Sequence, residues 1–299
     1  MDSETKALSR SLLVELAGSI GHRNSPLVQQ LAWILFRPVT DRLARIGVKF
    51  DRDVIQYGFS TAMKNALQVF IHKVTSRGQE NVPCSGPLLI LSNHPGTYDS
   101  LIISSELRRD DLCLISGDIP FLKNLPLAHK HFFFTSEKDQ NIRMVAARQA
   151  IRHLKAGGAL LLYGFGHIDP DPSVYNDADQ AIEKWATSMD LFLRAVPETK
   201  VLVSITSHVV SSIWRHSILY HLRRGPLERR RLVEFGQVMT QLLFRGTFRQ
   251  SPFISFSDPV MSEALRLESK SPQIYPAVIA RAKNLLEDHM TWVKALKGE

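Results

Sequence analysis

The residues with most chemistry to offer lie together in LLILSNHPGTYDS, residues 88–100. An apolar run leads to Asn93 and His94, Pro95 and Gly96 follow, and Asp99 comes five residues after the histidine. On an unbroken helix, five steps of about 100° would put these two side chains roughly 140° apart. A Pro-Gly turn between them lets them meet. The result is an imidazole at the end of a strand and a carboxylate near the start of a helix. Such a carboxylate can hold one ring N–H, fix the tautomer and leave the other nitrogen as a general base. It would also stabilise the imidazolium that forms, as the buried aspartate of a serine-protease triad does. The structural alternative is a histidine bonded within a turn beside an N-capping aspartate.

A base of this kind needs a nucleophile. No G-x-S-x-G elbow occurs in the chain, which disfavours a serine hydrolase of that type. The attacking group must then be a substrate hydroxyl or water, so transfer or hydrolysis is expected. Only two cysteines, Cys84 and Cys113, are present, which excludes a disulfide scaffold and a Cys-rich zinc site. His129-Lys130-His131 has metal-like spacing for a strand but no evident third ligand, so structural or surface roles are expected. His167, Asp169 and Asp171 read either as an oxygen-rich ion site or, preferably, as a proline-punctuated polar loop. Trp214, Ile218 and Leu222, at four-residue spacing, read as core, with His216 and His221 on a helix surface. No metal and no cofactor is called for.

The elements that must position His94 and Asp99 follow from periodicity. Residues 1–71 read as an N-terminal helical region, either a cap or a membrane-contact element. Within it, SPLVQQLAWILFRPVTDRLARI is an amphipathic helix broken or kinked at Pro38, suited to core packing or to touching lipid. Ile55, Phe59, Ala62, Met63, Ala66, Leu67 and Phe70 mark one apolar helix face. From residue 72 to 299 strand and helix signals alternate. KVTSRG, PLLILSN, DLCLIS, HFFFTS, ALLLY, KVLVSIT and PFISFS read as strands. Helices are expected at 99–108, 141–157, near 178–195, in the Arg-rich stretch and over 275–296. The 141–157 helix would turn Ile142, Val145, Ala146, Ala150 and Leu154 to one side. This alternation predicts an α/β domain with a mixed, largely parallel sheet flanked by helices, and a working site in loops beyond the strand ends.

Asn93-His94, four residues and Asp99 resemble the N-H-x-x-x-x-D signature of the glycerolipid acyltransferase superfamily, which includes lysophosphatidate and glycerol-3-phosphate acyltransferases. GQENVPCSGPLLILSNHPGTYDS is similar to that family's approach to the motif. The resemblance runs from about Val74 to Pro259, with KAGG, ALLLY and PFISFSDPV matching less specifically. It implies a glycerol-3-phosphate-acyltransferase-like fold and an O-acyltransferase. His94 would take a proton from an acceptor hydroxyl, oriented by Asp99, and the oxygen would attack an acyl-CoA or acyl carrier protein thioester. Asn93, Gly96, Ser136, Lys138, Phe165, Gly166 and His167 would line the substrates. Alternatives are a catalytically weak or silent lipid-binding homologue, or a thioesterase.

The departures bear on the acceptor. Where the family has F-P-E-G-T-R, this chain has Tyr163-Gly164-Phe165-Gly166-His167-Ile168. Isoleucine in place of arginine removes a charge-assisted phosphate contact of about 1.5–3 kcal/mol. The family's second motif ends in arginine, whereas here Ser136 stands near that place and Lys138 two residues on. The acceptor is therefore not expected to be held as ordinary glycerol-3-phosphate.

Charge completes the reading. The 299 residues carry a formal net charge of +8, and residues 211–250 alone hold eight arginines against Glu228 and Glu234, or +6. Such a segment suits an anionic membrane surface or the phosphates of CoA, through Arg223, Arg224, Arg229, Arg230 and Arg231. Nucleic acid is disfavoured, because LRRGPLERRR has no aromatics for base stacking. The polar start MDSETKALSR shows no secretory signal, and no apolar run suits a membrane span. The expectation is a cytoplasmic protein, peripheral on the inner face of a membrane.

Overall fold

The computed structural model describes residues 2–19, 26–222, 224–244, 246–269 and 272–298. Helices α1 (Ser3–Ser19), α2 (Pro26–Tyr57) and α3 (Phe59–Leu67) come first, then β1 (Thr75–Arg77), β2 (Leu88–Ser92), α4 (Asp99–Leu107) and β3 (Leu112–Gly117). They are followed by α5 (Pro120–Lys123), β4 (Phe132–Thr135), α6 (Gln140–Lys155), β5 (Ala159–Tyr163), α7 (Ala178–Glu183), α8 (Met189–Ala195) and β6 (Lys200–Ser207). The chain ends with α9 (Ser212–Arg215), α10 (Ile218–His221), α11 (Pro226–Leu243), β7 (Phe253–Phe256), β8 (Val260–Met261), α12 (Ser262–Glu268) and α13 (Tyr275–Lys297).

The strands form one sheet in the order β1-β7-β6-β2-β5-β3-β4, with β8 also on β6. β2 runs parallel to both β5 and β6, while β7 and β8 are antiparallel to β6. The mixed, largely parallel sheet expected from the sequence is thus present. β2 is buried along its whole length, which is why its sequence is an unbroken apolar run rather than an alternating one. Its side chains still alternate between faces. Leu88 and Ile90 join the core shared with the N-terminal helices, α4 and Leu242 of α11, and Leu89 and Leu91 join the one beneath α6, α8 and α13. Residues on α1, α2 and α3, among them Leu8, Val39, Phe50 and Phe59, belong to the first of these cores.

Several local expectations need correction. α2 is not broken at Pro38 but runs on as one helix to Tyr57, where Gly58 (φ 84°) breaks it from α3. That break resets the helix phase. Phe59, Ala62, Met63, Leu67 and Phe70 are buried as expected, but Ile55 is 65% exposed. The helix expected near 178–195 is two helices, separated where Trp185 folds in against Gly164. On α6, Ala146, Ala150 and Leu154 are buried but Val145 is exposed. Trp214, Ile218 and Leu222 do not share a helix. α9 ends at Arg215, the Ser217 hydroxyl donates to the Trp214 carbonyl, and Ile218 and Leu222 face solvent.

One carboxylate shapes the sheet's working end. Asp171 is fully buried and accepts from the N–H groups of Ser173, His208, Val209 and Val210 and from the Ser173 hydroxyl. It thereby fixes the turn that follows β6. Removing it would strand those donors in the interior, at about 1–3 kcal/mol for each group left unpaired. Asp171→Ala is expected to lose about 3 kcal/mol of stability by urea unfolding. A midpoint within error of the parent would show that the turn does not depend on it.

Candidate active site

Strand register brings the site together. Ser92 at the end of β2 lies opposite Tyr163 on β5 and Ser204 on β6. The residues just beyond these strand ends must therefore meet, at the carboxyl edge where β2 separates strands placed to either side of it. Open α/β sheets hold their ligands at such a crevice. Asn93 continues β2 by one more step. Its Nδ2 donates to the Thr206 carbonyl at 2.9 Å and its Oδ1 accepts from the Thr206 N–H at 2.8 Å. Asn93 is thus a buried bracket rather than a group presented to a substrate.

His94 and Asp99 do meet. Nδ1 of His94 is 2.8 Å from Oδ2 of Asp99, which begins α4 and is fully buried. The Gly96 N–H donates to the same oxygen at 3.1 Å, and the Tyr163 hydroxyl donates to Oδ1 at 2.7 Å. The Tyr163 ring also stacks on the imidazole, with centroids 4.2 Å apart. The bond to Asp99 assigns a proton to Nδ1 and leaves Nε2 as the second nitrogen, on a side chain that is 26% exposed.

The loop itself is held from below. Tyr98 donates through its hydroxyl to the Val209 carbonyl at 2.5 Å, and Gln237 of α11 bonds both Tyr98 and Val209. Thr97 donates to the Glu234 carboxylate. The His94 N–H donates to Oδ2 of Asp169 at 2.7 Å, and the Asp169 N–H returns a bond to the His94 carbonyl at 2.7 Å. Gly164 has room only for hydrogen, because a Cβ there would lie 2.1 Å from the Trp185 ring. This accounts for the glycine directly after Tyr163.

Electrostatics follow from this crowding. Burial works to lower the His94 pKa, but the bonded Asp99, with Glu234 and Asp169 behind it, lifts it from 6.5 to about 9. Burial raises Glu234 to about 7, partly offset by the Thr97 hydroxyl and by His94. Burial raises Asp169 to about 7 in the same way, offset in part by the His94 N–H. Burial and the Asp99 charge push Tyr163 well above the usual phenol range, so it remains a donor.

The other candidates are placed as follows. Phe165, Gly166 (φ 73°) and His167 form the turn after β5, with the Phe165 and His167 rings edge to face. Nδ1 of His167 is 3.4 Å from Oε1 of Glu137, linking this turn to the loop of Ser136 and Lys138. The Ser136 hydroxyl accepts from the N–H groups of Lys138 and Asp139, and Lys138 is exposed. Asp169 accepts the His94 N–H at Oδ2 and Asp171 accepts several backbone donors, as polar loop residues do, and no cluster suited to a metal occurs among the described residues. His131 is buried, bonds the Leu112 carbonyl and stacks on Phe59, while His129 bonds the Pro126 carbonyl. Arg224 and Arg231 are exposed, Arg229 packs over Tyr220, and the largely buried Arg230 pairs with the more exposed Asp177. Arg223 lies outside the described residues. Sequence reasoning did not find Tyr163, Glu234 or Gln237 as site residues. The one available signal for Glu234 was an acid standing in a segment of arginines.

Residues 73–176 match the model of the Acyltransferase family, a stretch that contains the Asn93 to Asp99 motif and its flanks. The whole chain is also similar to the crystal structure of the 1-acyl-sn-glycerophosphate (LPA) acyltransferase PlsC from Thermotoga maritima. The TM-score is 0.43 and the identity 15%, over 93% of this chain and 95% of that one. No curated protein matches the chain.

The site makes a titration prediction. The His94 imidazole, followed by NMR, is expected to titrate near pH 9. In Asp99→Asn the midpoint should fall, because burial persists while the opposing charge is gone. An unchanged midpoint would remove Asp99 as the cause.

Proposed function

We propose that the protein is an O-acyltransferase that moves a fatty acyl group from a thioester, acyl-CoA or acyl carrier protein, to a hydroxyl of a glycerolipid or lysophospholipid-like acceptor. The observation that carries this reading is the contact between His94 Nδ1 and the buried Asp99, clamped by Tyr163 at the carboxyl edge of the sheet. Nε2 of His94 accepts the proton of the acceptor hydroxyl as its oxygen attacks the thioester carbonyl carbon. Asp99 stabilises the imidazolium and keeps the ring oriented. The tetrahedral intermediate collapses, the C–S bond breaks, and the proton passes from Nε2 to the departing thiolate. The base is restored, the acyl group never resides on the protein, and no metal or cofactor enters the scheme.

The deciding experiment offers long-chain acyl-CoA with a panel of lyso- and glycerolipid acceptors to the parent and to His94→Ala. Loss of a positioned general base is expected to cost about 10²–10⁴-fold in kcat. Acyl transfer retained in that variant would sink the mechanism. In the parent, kcat/KM is expected to rise with pH along a limb set by the elevated His94 pKa, since the neutral imidazole is the active form. Free fatty acid as sole product would favour the thioesterase alternative.

The acceptor and product reside in lipid, and we place the membrane contact at the Arg-rich segment. Ile213, Ile218 and Leu222 are 66%, 76% and 62% exposed on α9, α10 and the turn beyond, with exposed Arg224 in that turn and exposed Arg231 on α11, which packs against α9 and α10. No helix among the described residues is long and apolar enough to cross a membrane. Replacing Arg224, Arg229 and Arg231 with Gln is expected to weaken binding to anionic vesicles by about 1 kcal/mol per residue, and most at low salt. Equal binding by parent and variant would return the segment to an ordinary solvated face.

A further inference from the structure

The turn from Tyr163 to Ile168 offers no arginine or lysine to an anionic substrate. Two guanidiniums on α9 and α11, beyond the family-matched stretch, converge on Tyr175. The Arg215 Cζ lies 5.3 Å from the centroid of the Tyr175 ring, and the Arg230 Cζ lies 5.2 Å from the same centroid. Arg215 donates to the Val174 carbonyl and Arg230 to the Asp177 carboxylate. Tyr175 is only 7% exposed, and its hydroxyl is buried without a hydrogen-bond partner among the described residues. A buried phenol normally has such a partner, so a ligand oxygen would complete this group.

Helix geometry locates the pair relative to His94. Glu234 follows Arg230 by four residues on α11, so the two leave the helix on one face, about 5–6 Å apart. Glu234 bonds Thr97, inside the loop that joins His94 to Asp99. Arg230 therefore stands about one helical turn from that loop. Its positive charge reaches Asp169, which exchanges backbone bonds with His94. The local acids leave the cations in place. Asp171 is taken up by its N–H and hydroxyl donors, and Asp177 is 45% exposed, holding Arg230 from the solvent side.

We propose that Arg215, Arg230 and the Tyr175 hydroxyl form a phosphoryl-binding subsite beside His94, in place of the arginine that the turn after β5 lacks. Paired guanidinium forks match the oxygens of a phosphate. The chemistry is shared by the headgroup of a phosphorylated acceptor and by the phosphates of CoA. The acyl-transfer reading supplies these two candidates, and the test separates them.

Parent, Arg215→Gln, Arg230→Gln, Arg230→Lys and, as a charge control, Arg148→Gln on the exposed side of α6 are titrated calorimetrically. The probes are a short-chain lysophosphatidate, the matching monoacylglycerol and CoA. The Gln variants are expected to bind a phosphorylated probe about 10–100-fold more weakly, with part of the affinity regained in Arg230→Lys. Loss confined to lysophosphatidate assigns the subsite to the acceptor, and loss confined to CoA assigns it to the donor. Loss for neither, equal loss for the neutral monoacylglycerol, or the same loss in Arg148→Gln overturns the proposal. So does a parent that binds neither phosphorylated probe. Thermal melts identify any variant that does not fold, in which case Arg215→Gln and Arg230→Lys decide. These readouts need no turnover. Arginine-dependent binding without acyl transfer would count against the catalytic reading alone.

Discussion

A carboxylate with no exposure to water sets the terms for this site. Asp99 can remain charged in the interior only if its oxygens are met by donors and its charge by a nearby cation. The Gly96 N–H, the Tyr163 hydroxyl and the His94 ring supply those contacts. Each comes from a different part of the chain's geometry. Gly96 comes from the turn after β2, Tyr163 from the in-register end of β5, and His94 from just beyond the end of β2. The sheet register, the turn and the helix start are therefore required together by one buried charge.

That charge has company. Glu234 and Asp169 also approach the imidazole, so three carboxylates surround one base. Like charges at close range in a low-dielectric setting repel. The protein answers by giving Asp169 a backbone N–H and Glu234 the Thr97 hydroxyl, and both are held with pKa values near neutrality. Their protonation is thereby tied to that of His94. Glu234, Asp169 and His94 therefore titrate as coupled sites rather than separately.

Much of this was legible in the residues. The apolar run of β2, the Pro-Gly turn and the five-residue spacing of His94 and Asp99 were enough to foresee an imidazole–carboxylate pair at a strand end. Local pattern also foretold every strand but the two-residue β8, and most helices. What escaped was set by distant contacts. Ile55 has the right spacing for a buried face, but Gly58 changes the helix phase. The break between α7 and α8 coincides with Trp185 covering Gly164, which lies 21 residues earlier in sequence. Tyr163 looked like the remnant of an aromatic position. Only the pairing of Ser92 with Tyr163 across β2 and β5 makes it a donor to Asp99. Glu234 belongs to a segment dominated by arginine, and nothing local tells that its face turns inward to Thr97.

The stacking of Tyr163 on His94 has a consequence for traffic through the site. One ring face is covered, Nδ1 is engaged, and the imidazole is held against rotation. A histidine free to swing could collect a proton at one place and deliver it at another. This one offers a single port. Under the proposed acyl transfer, the group that gives up a proton and the group that receives it would come to the same point in space, one after the other. The proposed reaction would then seat its two partners edge to edge around one atom.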